Sequence, residues 1–518
     1  MYSTTFGYRC TIHQGGVGMP VPKEILSVER PKNTIVVAYG KKLDHYAVRE
    51  RLGCRYVEGR RLPTNGKIVG HIVNGSYVPK EMTGTISPVA RAPIDLKDWA
   101  NVELCNRIAG NLLEELHAVY NGDDSCKIFC CAILRVCFPG IKDNELKSSY
   151  DESFLSEIYP NIALSKNTIS VLWNNIGHAY SRICKFMEIR VSKVEKNHHI
   201  IIDGTLKSND SKVNTLSDFS RKSKLKNAKD ISILYAYDLE AEEPICCKCY
   251  PGNMIDATSY ENFIDENKIK KGIIVGDKGF PSSCAKKHFA KNLDLHYLNS
   301  LKRNSKYIKD FNLLEFTEQV PGHENILFSK VKVAEDKYIY SFKDIHKAYR
   351  EDCGWLHNAS KNSNFENSEY NEDKELFGVI ILESDLDLDP KTVYKIYSSR
   401  WEIELVMRYY KQTCEFDETR VHDDYSVIGS EFCNFLSTVI TYRLINLFDK
   451  KDLFEKLTYK KILRVLARAK KVKLEEKNWE LIKINPSQEK ILQKLELLAE
   501  NPSTKAEART ERRGAPSV

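Results

Sequence analysis

The sequence predicts a mixed α/β sheet flanked by helices, carrying a β-rich insertion and preceded by an N-terminal β-type segment and a helical domain. Three observations carry that reading. Two short apolar runs, His199 to Thr205 (HIIIDGT) and Gly272 to Asp277 (GIIVGD), each meet an aspartate where the apolar run stops. Apolar residues recur three and four apart in Trp99 to Tyr120 and in Ile169 to Ile189, the period of an amphipathic helix. Beyond the runs, Tyr397 to Lys411 (YSSRWEIELVMRYYK) spaces a tyrosine, an arginine, a glutamate and a lysine as Y-x2-R-x3-E-x6-K.

The elements follow in order. Residues 1–85 alternate β-type runs, such as Thr34 to Tyr39 and Lys67 to Val73, with Gly and Pro turns. Gly15, Gly16 and Gly18 lack the strand-to-helix setting of a phosphate loop. Residues 86–194 form the helical domain. Within it, Leu164 to Gly177 has the polar turn and apolar positions of a helix-turn-helix second helix, with Asn167 or Thr168 as cap, although ordinary helical packing is the preferred reading. Residues 195–300 supply the first part of the sheet, with further strands at Asp230 to Asp238, Pro244 to Tyr250 and Leu293 to Leu298, and a helix from Asp256 to Asp265. Wholly apolar strands are covered on both faces, so the two that meet aspartates belong at the centre, with their ends together at one edge. Residues 301–376 read as the β-rich insertion. Residues 377–450 complete the sheet with Phe377 to Leu382 and add two helices, one carrying Glu404 and one over Val427 to Phe448. Residues 451–500 are a basic helical region, and 501–518 read as a disordered tail.

A length of 518 residues implies about three or four units at roughly 150 residues each. No run of about 18 apolar residues exists, and Met1 to Cys10 lacks a signal-peptide pattern, so the expectation is a soluble cytoplasmic protein. The 15 cysteines are scattered and odd in number, as expected of buried thiols rather than a disulfide framework. Cys246 and Cys249 form a CxxC inside a strand-like run with no second pair at zinc spacing. The net charge of +7 gathers in two clusters, Arg221, Lys222, Lys224, Lys226 and Lys229, then Lys460, Lys461, Arg464, Arg468, Lys470, Lys471 and Lys473. Such clusters track a polyanion or form ordinary wetted surface.

On one ideal α-helix, Tyr397, Arg400, Glu404 and Lys411 fall within an arc of about 60°, while Glu402 points about 160° from Glu404. Val406 lies on the opposite arc, with Ile403 and Leu405 at its edges. A carboxylate embedded in cationic neighbours suits a group that holds a metal while the neighbours hold phosphates. Asp203, Asp277 and Glu404 converging at one sheet edge would make an oxygen-only cage for magnesium or manganese. Two such ions about 3.5–4 Å apart polarise a phosphodiester and lower the pKa of an attacking water. Taken singly, an aspartate at a strand end is more often a cap or turn former.

The sequence resembles the DDE transposases of bacterial insertion sequences, in the IS-four group and its relatives. The resemblance rests on Asp203-Gly204-Thr205, on Gly252-Asn253 followed by Asp256, on Asp277-Lys278-Gly279-Phe280 and on the Y-x2-R-x3-E-x6-K stripe, and spans about residues 195–450. It implies an RNase H-like catalytic domain interrupted by an insertion between the second aspartate and the glutamate. It also implies that Asp203, Asp277 and Glu404 bind Mg2+ or Mn2+, and that Tyr397, Arg400, Lys411 and Lys278 contact DNA phosphates. Trp355 has two readings, a ring that stacks a flipped base or a packing tryptophan, the second preferred. Asp256 reads as the cap of its own helix.

The activity so implied is metal-dependent DNA cleavage at the ends of an insertion sequence, followed by strand transfer into target DNA. The partners are terminal inverted repeats and target DNA, held by a homodimer in a synaptic complex associated with the bacterial nucleoid. Two rivals remain at this stage, a transposase-derived DNA-binding protein without catalysis and an RNase H-like nuclease without strand transfer. A glycosidase with paired carboxylates fits less well, because a cationic stripe suits phosphates better than a neutral sugar.

Overall fold

The computed structural model describes residues 21–38, 45–57, 60–80, 94–209, 211, 213–220, 229–254, 256–276, 289–362, 365–419, 421–474 and 478–499. The chain divides into two units, 1–94 with 474–476, and 95–473 with 477–518. Gly15, Gly16, Gly18 and the tail 501–518 lie outside the described residues.

In the first unit β1 (Thr34–Ala38), β2 (His45–Val57), β3 (Arg60–Val73) and β4 (Ser76–Pro79) form an antiparallel meander. Asn74 and Gly75, at φ 51° and 75°, turn β3 into β4, the Asn-Gly pair that a tight hairpin demands. Tyr46, Val48 and Ile72 make its small core.

The second unit begins with helices. β5 (Ile94–Asp98) leads into Ala100–Ala109, followed by Gly122–Cys137, Lys166–His178 and Tyr180–Val191. These helices share one continuous core with the sheet that follows, so the helical domain read from the sequence does not stand apart. Its organiser is a long helix, Asp424–Lys450, buried along most of its length and started by Asp423, whose carboxylate accepts from Ser426 N at 2.9 Å. The Gly122–Cys137 and Lys166–His178 helices both pack on it.

The Lys166–His178 helix is the one read as a possible recognition helix. Its cap is Ser165, not Asn167 or Thr168. Ile169, Leu172, Trp173 and Ile176 are buried against the long helix, and the crossing is close. A Cβ on Gly177 would lie 2.0 Å from the Tyr425 carbonyl oxygen, and one on Gly429 would lie 2.1 Å from that of Trp173. Ordinary helical packing accounts for the apolar pattern.

The main sheet contains β6 (His199–Ser208), β7 (Asp218–Phe219), β8 (Lys229–Asp238), β9 (Glu243–Pro251), β10 (Lys271–Gly276), β11 (Asp294–Leu301), β12 (Glu318–Gln319), β13 (Ile326–Ala334), β14 (Lys337–Asp344) and β15 (Val379–Ser384). β9, β8 and β6 are antiparallel neighbours, and β10 and β11 add on the other side of β6, parallel to it. Three antiparallel strands with the first at the centre, extended by two parallel strands, is the RNase H-like arrangement. β6 and β10 are central, as their apolar runs predict, and every residue of β15 is buried.

Two readings are corrected in this region. β6 does not stop at Asp203 but runs to Ser208, paired with β8 throughout. Gly204 is a strand residue paired with Leu234, and a Cβ on it would meet Leu234 Cδ2 at 2.7 Å. The 301–376 segment is only half β. β12–β14 extend the main sheet through β15, and the polar stretch after them forms two helices, Ile345–Asn362 and Asn367–Leu376. Trp355 joins these helices, its indole N–H donating to Asp373 Oδ2 at 2.9 Å and its ring 5.0 Å from that of Tyr370. The packing reading of Trp355 is the one its contacts support.

Residues 451–499 are mixed rather than helical. The Tyr459–Ala467 helix buries Tyr459, Ile462, Leu463 and Leu466 and exposes Lys460, Lys461 and Arg464. β16 (Lys470–Leu474) then joins β17 (Glu480–Leu481) and β5 in a three-stranded sheet. Lys470 pairs with Asp98 at 2.9 Å, and Lys471 sits 4.5 Å from the rings of Trp99 and Phe154, so part of this basic cluster serves the fold. Arg221, Lys222, Lys224 and Lys226 lie outside the described residues. Cys246 and Cys249 lie in the regular part of β9, three residues apart and hence on opposite faces, which makes them poor partners for one metal ion.

Candidate active site

Asp203 sits near the middle of β6, opposite Tyr235 of β8, and is half-buried. Its Oδ1 accepts from Gly204 N at 2.8 Å. β10 lies beside β6 in parallel register, with Val275 opposite Ile201, and ends at Gly276. Asp277 and Lys278, the next residues in sequence, lie outside the described residues, and Asp256 is described in its backbone only.

Glu404 is exposed on the Trp401–Arg408 helix, which packs on β6. Ile403 and Val406 are fully buried and hold the helix down, so its opposite face carries Glu404 outward. Glu402 faces elsewhere. It is partly buried, and burial, then the nearby Glu242 carboxylate, raise its pKa above the usual glutamate value. The structure therefore brings the Asp203 strand and the Glu404 helix together and separates the two glutamates, as the helix-face argument requires.

The stripe itself is not one ideal helix. Tyr397 lies in the Pro390–Ser399 helix, begun by Asp389, whose carboxylate accepts from Thr392 N at 3.0 Å, and by Pro390 at its first turn. Arg400 forms a junction where its N–H reaches Tyr397 O, and its guanidinium lies 5.8 Å from the Tyr397 ring centroid. Lys411 lies in a π-helical turn, Tyr409–Thr413, that follows Trp401–Arg408 directly. The arc computed for a uniform α-helix is therefore replaced by three segments, and a π turn changes the angular advance between Glu404 and Lys411.

Four residues next to this assembly, Lys207, Tyr410, Glu431 and Asn434, escaped the sequence reading. Lys207, on β6, places its Nζ 2.5 Å from Glu431 Oε1 of the long helix. Tyr410, in the π turn, donates its hydroxyl to Glu431 Oε2 at 2.5 Å, and Asn434 Nδ2 donates to Oε1 at 3.0 Å. All four are buried, and burial, then the Glu431 charge, push the Tyr410 phenol well above its ordinary pKa. The available signal was a lone acid inside the apolar run from Val427 to Phe448. Lys207 was hidden by ending the strand too early.

Among the described residues a second set of metal-type ligands is His198, Asp238 and Glu240, whose ligand atoms lie within 4.8 Å of one another. His198 precedes Asp203 by five residues, about 16 Å along an extended strand, so this set is separate from the Asp203 site. Its atoms are already engaged. His198 Nδ1 is 2.7 Å from Asp238 Oδ2, Asp238 Oδ1 accepts from Glu240 N and Ala241 N, and Glu240 accepts from His199 Nδ1 and N. These bonds close the turn after β8.

Residues 195–427 match the family model of the transposase DDE domain. That match covers a little less than half of the 518 residues and includes Asp203, Asp277, Glu404 and the whole stripe. A solved structure similar to this chain is the cryo-EM structure of a piggyBac transposase synaptic complex with hairpin DNA, at 13% identity and a TM-score of 0.38, covering 81% of this chain and 86% of that one. No curated protein matches the chain. Within the segment that matches the DDE domain, the donor set fits the divalent metal that such domains use, because the Asp203 and Glu404 carboxylates are hard oxygen ligands.

Proposed function

We propose that this chain is a DDE transposase of the insertion-sequence type, which cuts DNA at the ends of its element and joins them to target DNA. One observation carries the reading: the helix bearing Glu404 packs on the strand bearing Asp203, inside a segment that matches the transposase DDE domain. The pairing of Ile201 with Val275 adds support, since two residues beyond these partners in sequence are Asp203 and Asp277.

Asp203, Asp277 and Glu404 would hold Mg2+, or Mn2+ in its place. A divalent cation supplies polarisation of the phosphodiester and a lowered pKa for water. The chain's own residues do the rest. Arg400 grips a phosphate with its planar fork, Lys411 and Lys278 act as point charges, and the Tyr397 hydroxyl offers a hydrogen bond. These contacts fix the backbone without reading sequence and hold the scissile bond in line for water, then for the freed 3′-hydroxyl. The 86–194 segment is the first choice for recognising particular ends, with the exposed cations of Tyr459–Ala467 second. Two ends must be brought together, so a homodimer on DNA in the cytoplasm of a bacterial cell is the proposed working state. The IS-four group is the proposed affiliation.

The test is incubation of purified protein with DNA carrying the element's terminal repeats, a second DNA and Mg2+. Nicking at the ends followed by joining is expected. Binding without nicking supports a silent descendant, and nicking without joining supports a nuclease; either result defeats the proposal.

A further inference from the structure

The strand that carries Asp203 and the helix that carries Glu404 meet a third element through the buried Lys207–Glu431–Tyr410 network. Lys207 follows Asp203 by four residues on β6, so both side chains leave the same face of the strand. Tyr410 follows Glu404 by six residues and sits inside the π turn that also carries Lys411. Glu431 belongs to the long helix at the centre of the core. Its carboxylate accepts from Lys207, Tyr410 and Asn434, and Asn434 is held in turn by Arg135 Nη1 at 2.7 Å. The Tyr410 ring stands edge-on to Tyr235 at 5.8 Å, and Tyr235 is the residue opposite Asp203 in the β6–β8 ladder. Tyr410 thus touches the Asp203 strand system twice, once through Glu431 to Lys207 and once through Tyr235.

The π turn closes the helix at its C-terminal end, where Cys414 N reaches Tyr409 O and Phe416 N reaches Tyr410 O. Here it turns Tyr410 into the core, where its hydroxyl reaches Glu431, while the preceding turn leaves Glu404 exposed. A uniform α-helix would advance Tyr410 by a different angle relative to Glu404. A buried lysine and carboxylate desolvated together add little to stability over an apolar pair of similar volume, so the arrangement invites an explanation other than stability.

We infer that Glu431, with Lys207 and Tyr410, is a positioning device that sets the register of the Glu404 helix against the Asp203 strand, and so the spacing of the carboxylates. It touches neither substrate nor metal, and it rests on the proposed transposase reading. Loosening it leaves the carboxylates in place but less well spaced, so the defect falls on metal affinity rather than on DNA binding.

The test uses the full chain, terminal-repeat DNA and a Mg2+ titration of the nicking rate, with Tyr410→Phe and the double variant Lys207→Met with Glu431→Gln. Wild-type nicking is measured first; its absence defeats the transposase reading and not this inference alone. Given wild-type nicking, Tyr410→Phe keeps the ring and melts near wild type, and its half-saturating Mg2+ concentration rises by about ten-fold, the usual scale for losing a partner that orients metal ligands. At saturating Mg2+ the rate returns towards wild type, and affinity for end DNA changes less than about two-fold. The double variant shows the same metal defect with a melting temperature at or above that of Tyr410→Phe. An unchanged Mg2+ requirement in folded Tyr410→Phe overturns the inference. So does a rate loss that simply follows the folded fraction, which would make the network structural only.

Discussion

Lys207 and Glu431 form an ion pair at 2.5 Å with both side chains almost wholly removed from water. Removing one charge strands the other. Glu431→Leu should therefore cost about 3–5 kcal/mol of unfolding free energy, whereas Lys207→Met with Glu431→Leu should recover most of it. Urea titrations of the wild type, both single variants and the pair would show the coupling, and additive losses would contradict it.

The crossing of the Lys166–His178 helix over the long helix depends on two glycines whose absent Cβ atoms leave room for backbone. Gly177→Ala and Gly429→Ala should each lose about 1–3 kcal/mol through overpacking, despite alanine's better helix propensity. Gly354 is the control. It is exposed in the Ile345–Asn362 helix with nothing within 4 Å of its Cβ position, so Gly354→Ala should gain about 0.5–1 kcal/mol. Thermal melts read all three, and equal effects would refute the close-crossing argument.

The two glutamates of the Trp401–Arg408 helix should behave oppositely. Glu404→Gln should abolish cleavage while keeping DNA binding, and Glu402→Gln should leave cleavage near wild type. Burial raises the Glu402 pKa, so the folded state holds a proton that the unfolded state releases as pH rises through the ordinary glutamate range. Stability from this group is therefore present at acid pH and lost as pH climbs through its raised folded value. Glu402→Gln should melt higher than wild type at pH 7 and show no advantage near pH 4. An advantage that is the same at both pH values would sink the assignment.

Arg400 lies at the junction between two helices, beside Tyr397. Arg400→Ala should weaken the complex with cleaved ends by removing a two-pronged phosphate contact, and Arg400→Lys should recover it only in part. Gel-shift titrations on pre-cleaved ends measure both, and an unaltered complex in Arg400→Ala would remove the proposed contact.

Much of the fold was legible because burial on two faces writes itself as continuous apolar sequence. β6, β10 and β15 were found that way, as was the long helix. Polar residues inside the sheet hid the rest. Gly204 and Lys207 made β6 look shorter than it is, although Lys207 is paired and Gly204 gives room to Leu234. The 301–376 segment reads as β-rich throughout, and the two helices after β14 are held by the contact of Trp355 with Asp373 and Tyr370, which no local pattern announces. At the site, spacing alone separated Glu404 from Glu402. It could not reveal the π turn or the bond from Tyr410 to Glu431, which joins residues 21 apart in sequence.

The account turns on where a divalent cation goes. Soaking or co-crystallising the chain with end DNA and Mn2+, and locating the ion by its anomalous scattering, measures this directly. The expected peak lies between the carboxylates of Asp203, Asp277 and Glu404. A peak at His198, Asp238 and Glu240 with none at Asp203, or carboxylates at 203, 277 and 404 too far apart to share an ion, would contradict it.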